Sequence, residues 1–210
     1  MLQGPSVLVI ACGALAREIT ALIRANRWDE FVVQCLPAEL HNTPDKIPSA
    51  VRTKIQDARS RYRTIFVAYA DCGTGGLLDA VLDEEGVERL PGAHCYEFYA
   101  GHKTFQTLSE SEPGTFYLTD FLVRHFDRLV IVGLGLDKHP ELHEMYFANY
   151  KKLTYLCQVE DPKLLDQAEQ AAQRLGLTFE YRFTGYGLLE QSLRNVRVGI
   201  DGQIDHRILA

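Results

Sequence analysis

Short β-rich runs and helix-spaced apolar positions alternate along the chain. Ser6–Ala11 is an apolar run ending at Cys12-Gly13, which predicts a buried strand. Leu15, Ile19, Leu22 and Ile23 then share one face of a helix over Leu15–Arg24. Phe31–Leu36 reads as a second strand, a Pro-containing loop follows, and Ala50–Arg61 reads as a polar helix. Thr64–Ala70 is a third strand, leading through Asp71-Cys72-Gly73-Thr74-Gly75-Gly76 into a helix from Leu77 to Glu84.

The second half repeats this order. Leu129–Val132 predicts a strand, Pro140–Tyr150 a helix, and Leu153–Gln158 a strand. Pro162 sits at the first turn of a helix over Lys163–Leu175, where its missing N–H costs nothing. Leu177–Phe183 is another strand, followed by Thr184-Gly185-Tyr186-Gly187 and a helix over Leu188–Leu193. Val196–Leu209 reads as a closing hairpin around Asp201-Gly202.

Cys35 and Cys157 take the same place in the second strand of each half, and Gly76-Leu77-Leu78-Asp79 matches Gly187-Leu188-Leu189-Glu190. The expected fold is therefore α/β, with two similar βαβαβ lobes, parallel sheets and a degenerate internal duplication. A first lobe over 1–98, a crossover segment over 99–128 and a second lobe over 129–210 follow. Ligands of parallel sheets sit beyond the strand carboxyl ends, so a small-molecule site is expected in a cleft between the lobes.

Composition narrows the function classes. Asp and Glu number 28 against 22 Lys and Arg, a net charge of −6, and no basic cluster is present to bind nucleic acid. The longest uncharged apolar stretches, such as Leu129–Leu136, fall far short of the roughly 18 residues a membrane helix needs. No basic segment precedes the first apolar run, so a cytoplasmic location is the expectation. Five cysteines, an odd number, point to free or metal-bound thiols rather than disulfides.

The five divide by position. Cys35 and Cys157 lie inside apolar strands and are expected to be core residues. Cys12 and Cys72 each follow a strand and precede a helix, where orphan N–H groups favour a thiolate. Cys95 stands in His94-Cys95-Tyr96-Glu97. Cys12, Cys72 and Cys95, with His94 or Glu97 as a fourth donor, form a candidate zinc site drawn from separate segments. A metal-free thiol site stands against it as the alternative. His139 and His143 are four apart, but Pro140 places His139 before the helix rather than on its face.

Gly73, Thr74, Gly75 and Gly76 precede a helix and are candidates to cradle an anionic ligand or cofactor with their amides, as are Gly185 and Gly187. The loop lacks the Gly-Lys-Ser/Thr of a P-loop. Glycines at such turns also serve simply to let the backbone reverse.

Five blocks in order carry a family resemblance: Ala11-Cys12-Gly13-Ala14-Leu15 with Arg17-Glu18; Tyr69-Ala70-Asp71-Cys72-Gly73-Thr74-Gly75-Gly76; His94-Cys95-Tyr96-Glu97; Gly114-Thr115-Phe116-Tyr117-Leu118-Thr119-Asp120; and Thr184-Gly185-Tyr186-Gly187. Together they resemble the uncharacterised bacterial and archaeal family catalogued as domain of unknown function 1638. The resemblance implies an association with corrinoid-dependent methyl transfer, with any corrinoid reached through a partner protein or methyltransferase. Three functions follow as expectations: a metal-thiolate enzyme, a metal-free two-thiol isomerase akin in architecture to amino-acid racemases, and a non-catalytic partner of a corrinoid system.

Overall fold

The computed structural model describes residues 7–208, with side chains to 199. Ser6 and Leu209, termini of an expected strand and of the expected hairpin, lie outside the described residues. In chain order the elements are β1 (Val7–Cys12), α1 (Ala16–Asn26), β2 (Phe31–Leu36), α2 (Ile47–Ala58), β3 (Thr64–Ala68), α3 (Leu77–Glu85), β4 (Glu88–Arg89), α4 (Cys95–Ala100) and α5 (His102–Ser111). There follow β5 (Thr115–Thr119), α6 (Asp120–Arg124), a π-helix (Asp127–Val132), α7 (Leu142–Phe147), β6 (Lys152–Cys157), α8 (Pro162–Leu175), β7 (Thr178–Phe183) and α9 (Leu189–Ile208).

Strands and helices build two parallel sheets, ordered β2-β1-β3-β4 and β5-β6-β7. The chain divides into two units, Met1–Phe98 with Leu188–Ala210, and Tyr99–Gly187. The expected crossover segment belongs instead to the second unit and supplies its first strand.

In the first unit every residue of β1 is buried, as its unbroken apolar run requires for a strand covered on both faces. Ile19 and Leu22 of α1, and Ile47, Val51, Ile55 and Ala58 of α2, are buried at helical spacing. In the second unit Leu153, Tyr155 and Cys157 of β6 pack with Leu164, Ala168, Ala171, Ala172 and Leu175 of α8. Asp161 caps α8 by accepting the Lys163 N–H at 2.9 Å, and Pro162 occupies its first turn as expected.

Three expectations are corrected. Leu129–Val132 is not a strand but part of the π-helix. A four-residue apolar run has no periodicity with which to tell a strand from a buried helical turn. The wide turn also brings the Leu129 carbonyl against Gly133, leaving no room for a Cβ there.

The expected hairpin at the C-terminus is helical to Ile208. Leu189 and Leu193, both fully buried, set the helical spacing, and Arg194 pairs with Glu190 at 2.7 Å one turn away. An interior glycine such as Gly202 costs a helix only about 1 kcal/mol, too little to stop it.

The Cys35–Cys157 equivalence fails as well. β2 is an edge strand of the first sheet, whereas β6 is the central strand of the second. Cys35 is exposed and Cys157 buried. The different strand orders show that the halves share a class but not a doubled topology.

Candidate functional site

All strands of the first sheet run in one direction, so the segments after β1, β2, β3 and β4 emerge at a single edge. Cys12 closes β1 beside Leu36 of β2. Its thiol accepts the Ala14 N–H at 3.3 Å and so caps the tight turn Gly13–Leu15. A Cβ at Gly13 would lie 3.1 Å from the Leu36 carbonyl oxygen, a tight contact that the strand end would have to ease.

Beyond β3 the backbone continues to pair with the segment after β4. The Asp71 N–H donates to the Gly92 carbonyl at 3.1 Å and the Cys72 N–H to the Ala93 carbonyl at 2.8 Å. These two bonds carry His94 and Cys95 alongside Cys72. The three thiols lie near enough that ionisation of Cys12 and Cys95 is disfavoured by Cys72, and that of Cys95 by Cys12 as well.

Burial pushes the Cys12 thiol up to about 12, with Cys72 and Cys35 adding repulsion against the Ala14 N–H and Tyr69. Burial likewise raises Cys72 to about 11, Asp71 adding to the effect while the Ala70 backbone and Arg89 oppose it. Cys95 is raised well above the ordinary thiol value, first by burial and then by Cys72 and Cys12. Without a cation among them, all three are neutral thiols at physiological pH.

His41, Tyr69 and Arg89 surround the cluster. His41, in the segment after β2, places Nδ1 3.8 Å from the Cys12 sulfur and 3.0 Å from the Ala38 carbonyl oxygen. Its ring stacks on Tyr69 with centroids 6.2 Å apart. The Tyr69 hydroxyl is buried beside the Cys12 thiol without completing a hydrogen bond of good geometry. Arg89 grips Asp79 with two nitrogens, at 2.5 and 2.9 Å, and donates to the Leu90 and Gly92 carbonyls, bracing the segment that carries His94. The strand-end rule, applied to β2 as well as to its neighbours, would have found His41.

Cys72 has φ = 53°, a left-handed backbone unusual for a residue with a side chain. Such strain is held by the surrounding structure and concentrates at functional positions. Cys72→Gly is expected to leave stability unchanged or raise it by up to about 1 kcal/mol, relief of strain outweighing unfolded-state entropy. Urea denaturation measures it, and a loss above about 1 kcal/mol would show that the thiol itself holds the loop together.

The glycine loop is arranged differently from the expected anion cradle. The Gly75 and Gly76 N–H groups donate to the Asp71 carboxylate at 3.1 and 2.9 Å, and the Thr74 hydroxyl donates to it at 2.6 Å. Asp71 thus occupies the place an external anion was expected to take, and Gly73–Gly76 shape the loop rather than present free amides. Gly185 and Gly187 fall in the second unit, and the Gly185 N–H donates to the Cys157 carbonyl at 3.2 Å.

Glu97 accepts the Ala93 N–H at 2.8 Å, which turns one carboxylate oxygen toward the backbone. His139 pairs with Glu141 at 3.2 Å and stands before α7. Among the described residues no group of three His, Cys, Asp or Glu side chains stands in metal-holding geometry as the side chains are oriented. Two clefts, of about 400 and 390 Å³, lie apart from the thiols, one at the amino ends of β3 and β4 and the other along α8.

No helix among the described residues is long and apolar enough to cross a membrane. No curated protein matches the chain. Ornithine carbamoyltransferase from Pyrococcus furiosus is similar in structure at 14% identity, over 87% of this chain and 55% of that enzyme, with a TM-score of 0.26. The chain thus spans little more than half of that protein's length. A family model described as protein of unknown function (DUF1638) matches residues 35–193, well over half of the chain and including His41, Cys72 and Cys95. The chain belongs to the DUF1638 family.

Proposed function

We propose that the first unit is a metal-thiolate protein in which Cys12, Cys72 and Cys95 bind zinc, with His94 or His41 as the fourth donor. One observation carries the reading: three thiols and two imidazoles from four separate segments are gathered at the carboxyl edge of one sheet. The donor chemistry fits zinc, which prefers thiolate sulfur and imidazole nitrogen. A dication would also stabilise the thiolate forms that burial and neighbouring sulfurs otherwise disfavour, since coordination deprotonates a thiol and offsets the repulsion between thiolates. Side-chain rotations would close the shell.

A catalytic zinc keeps three protein ligands and an open fourth position, so where the histidine gives way to water or substrate the zinc would activate a thiol or water on a small substrate. That chemistry suits the one-carbon setting of the family resemblance, with a corrinoid held by a partner protein. The metal-free isomerase is the weaker reading, because acid–base work by two thiols needs one of them ionised, and burial keeps Cys12 and Cys72 protonated.

Metal analysis of protein purified without chelators tests the proposal. About one zinc per chain is expected, falling at least tenfold in Cys72→Ser and Cys95→Ser with unchanged circular dichroism. Full metal content in either variant would overturn it. Copurification with a corrinoid protein, with neither metal nor turnover, would point instead to a non-catalytic partner role.

A further inference from the structure

β7 is the last strand of the second sheet and pairs only with β6. The Thr178 N–H donates inward to the Lys151 carbonyl and the Thr184 N–H inward to the Cys157 carbonyl. Strand alternation therefore turns the backbone groups of Phe179, Tyr181 and Phe183 outward. Among the described residues no main-chain partner meets them. The strand has neither proline nor lysine, devices that usually blunt an open edge.

The side chains beside this edge are also uncovered. Leu153, Tyr155 and Cys157 of β6 lie in the buried core, and their register partners on β7 are Phe179, Tyr181 and Phe183. Tyr181 is 39% and Phe183 57% exposed, so the apolar face of the sheet runs out to its margin and stops there. On the other face Glu180 pairs with Lys152 at 2.6 Å and with Arg182 at 2.7 Å.

From this edge we infer that the chain forms a two-fold dimer by antiparallel pairing of β7 with β7 of a second copy, centred on Tyr181. The register satisfies three conditions at once. It makes Tyr181 face the second copy's Tyr181 as a hydrogen-bonded pair, which is where the outward backbone groups lie. It sets Phe179 opposite Phe183 in both halves, extending each apolar face over the other. It also sets Glu180 opposite the second copy's Arg182 in the closer, non-hydrogen-bonded pairs, where opposite charges attract and like charges repel. A two-fold axis at Glu180 or Arg182 would set identical charges against each other at the axis. An isologous contact of this kind closes and leaves no second open β7 edge.

Sedimentation velocity of the full chain at micromolar concentration tests the dimer. Arg182→Glu places Glu opposite Glu twice and is expected to weaken association about tenfold or more, with unchanged circular dichroism. Glu180→Arg combined with Arg182→Glu restores opposite charges across the axis and is expected to recover dimerisation. Hydrogen exchange should show concentration-dependent protection at the amides of Phe179, Tyr181 and Phe183, but not of their inward neighbours. A monomer at all accessible concentrations would overturn the inference. So would a dimer indifferent to Arg182→Glu and lacking that alternating protection.

Discussion

Asp120→Ala is expected to destabilise the second unit by about 3–5 kcal/mol, as removal of one partner from a buried charged network does. The Asp120 side chain is 1% exposed, and both its oxygens are engaged. Oδ1 accepts from the Tyr155 hydroxyl at 2.7 Å and the Gln158 N–H at 3.0 Å; Oδ2 accepts from the Val159 N–H at 3.1 Å and lies 3.7 Å from Arg124. The Asp120 N–H in turn donates to the Gln158 side chain at 2.8 Å. One carboxylate thus ties the start of α6 to the backbone leaving β6. Alanine would leave the buried Gln158 N–H and the Tyr155 phenol without acceptors and free the Val159 N–H as well. Asparagine, with a single oxygen, keeps part of the set and should cost roughly half as much. Urea denaturation measures both, and a change below about 1 kcal/mol for alanine would mean that water replaces the carboxylate freely.

Trp28→Ala is expected to cost the first unit a similar amount, about 3–5 kcal/mol, by cavity formation. Trp28 is 1% exposed, lies 5.5 Å from the Phe31 ring, and is covered by the Arg194 guanidinium at 5.6 Å. The Trp28 main-chain N–H donates to the Ile23 carbonyl at 3.0 Å at the close of α1, which fixes the backbone from which the indole projects. Trp28→Phe retains most of the buried area and should lose about 1–2 kcal/mol. Far-ultraviolet circular dichroism follows both variants. Because Trp28 is the sole tryptophan, its emission in the Asp120 variants reports the first unit by itself.

These residues show what the amino-acid pattern could and could not tell. The first sheet was legible because β1, β2 and β3 are dense apolar or β-branched runs cut by glycine and proline, and their helices keep strict spacing. β5 was not, because Thr115–Thr119 lies in a segment whose polarity resembles a connection, while the more apolar Leu129–Val132 was spent on a π-turn. The last helix was hidden by Asp201-Gly202, a turn signal overruled by helical propagation from Leu189 and Leu193.

At the candidate site, Cys12 and Cys72 were legible because each lies at or just past a strand end, a place fixed by topology, and Cys95 because it stands between His94 and Glu97. His41 carries no local mark in the polar loop around it, and only its place after β2 points to it. The engagement of the Gly75 and Gly76 amides by Asp71 was equally invisible, because a glycine-rich loop reads the same whether its anion comes from solution or from its own chain.

One bond has a consequence for synthesis. The Leu188 N–H donates to the Phe98 carbonyl at 2.8 Å, so the chain leaves the first unit and re-enters it at neighbouring points. On the ribosome, the ninety or so intervening residues are complete while the first unit still lacks α9, whose Arg194 shields Trp28. The unit begun first is finished last, and until then its indole is open to chaperones.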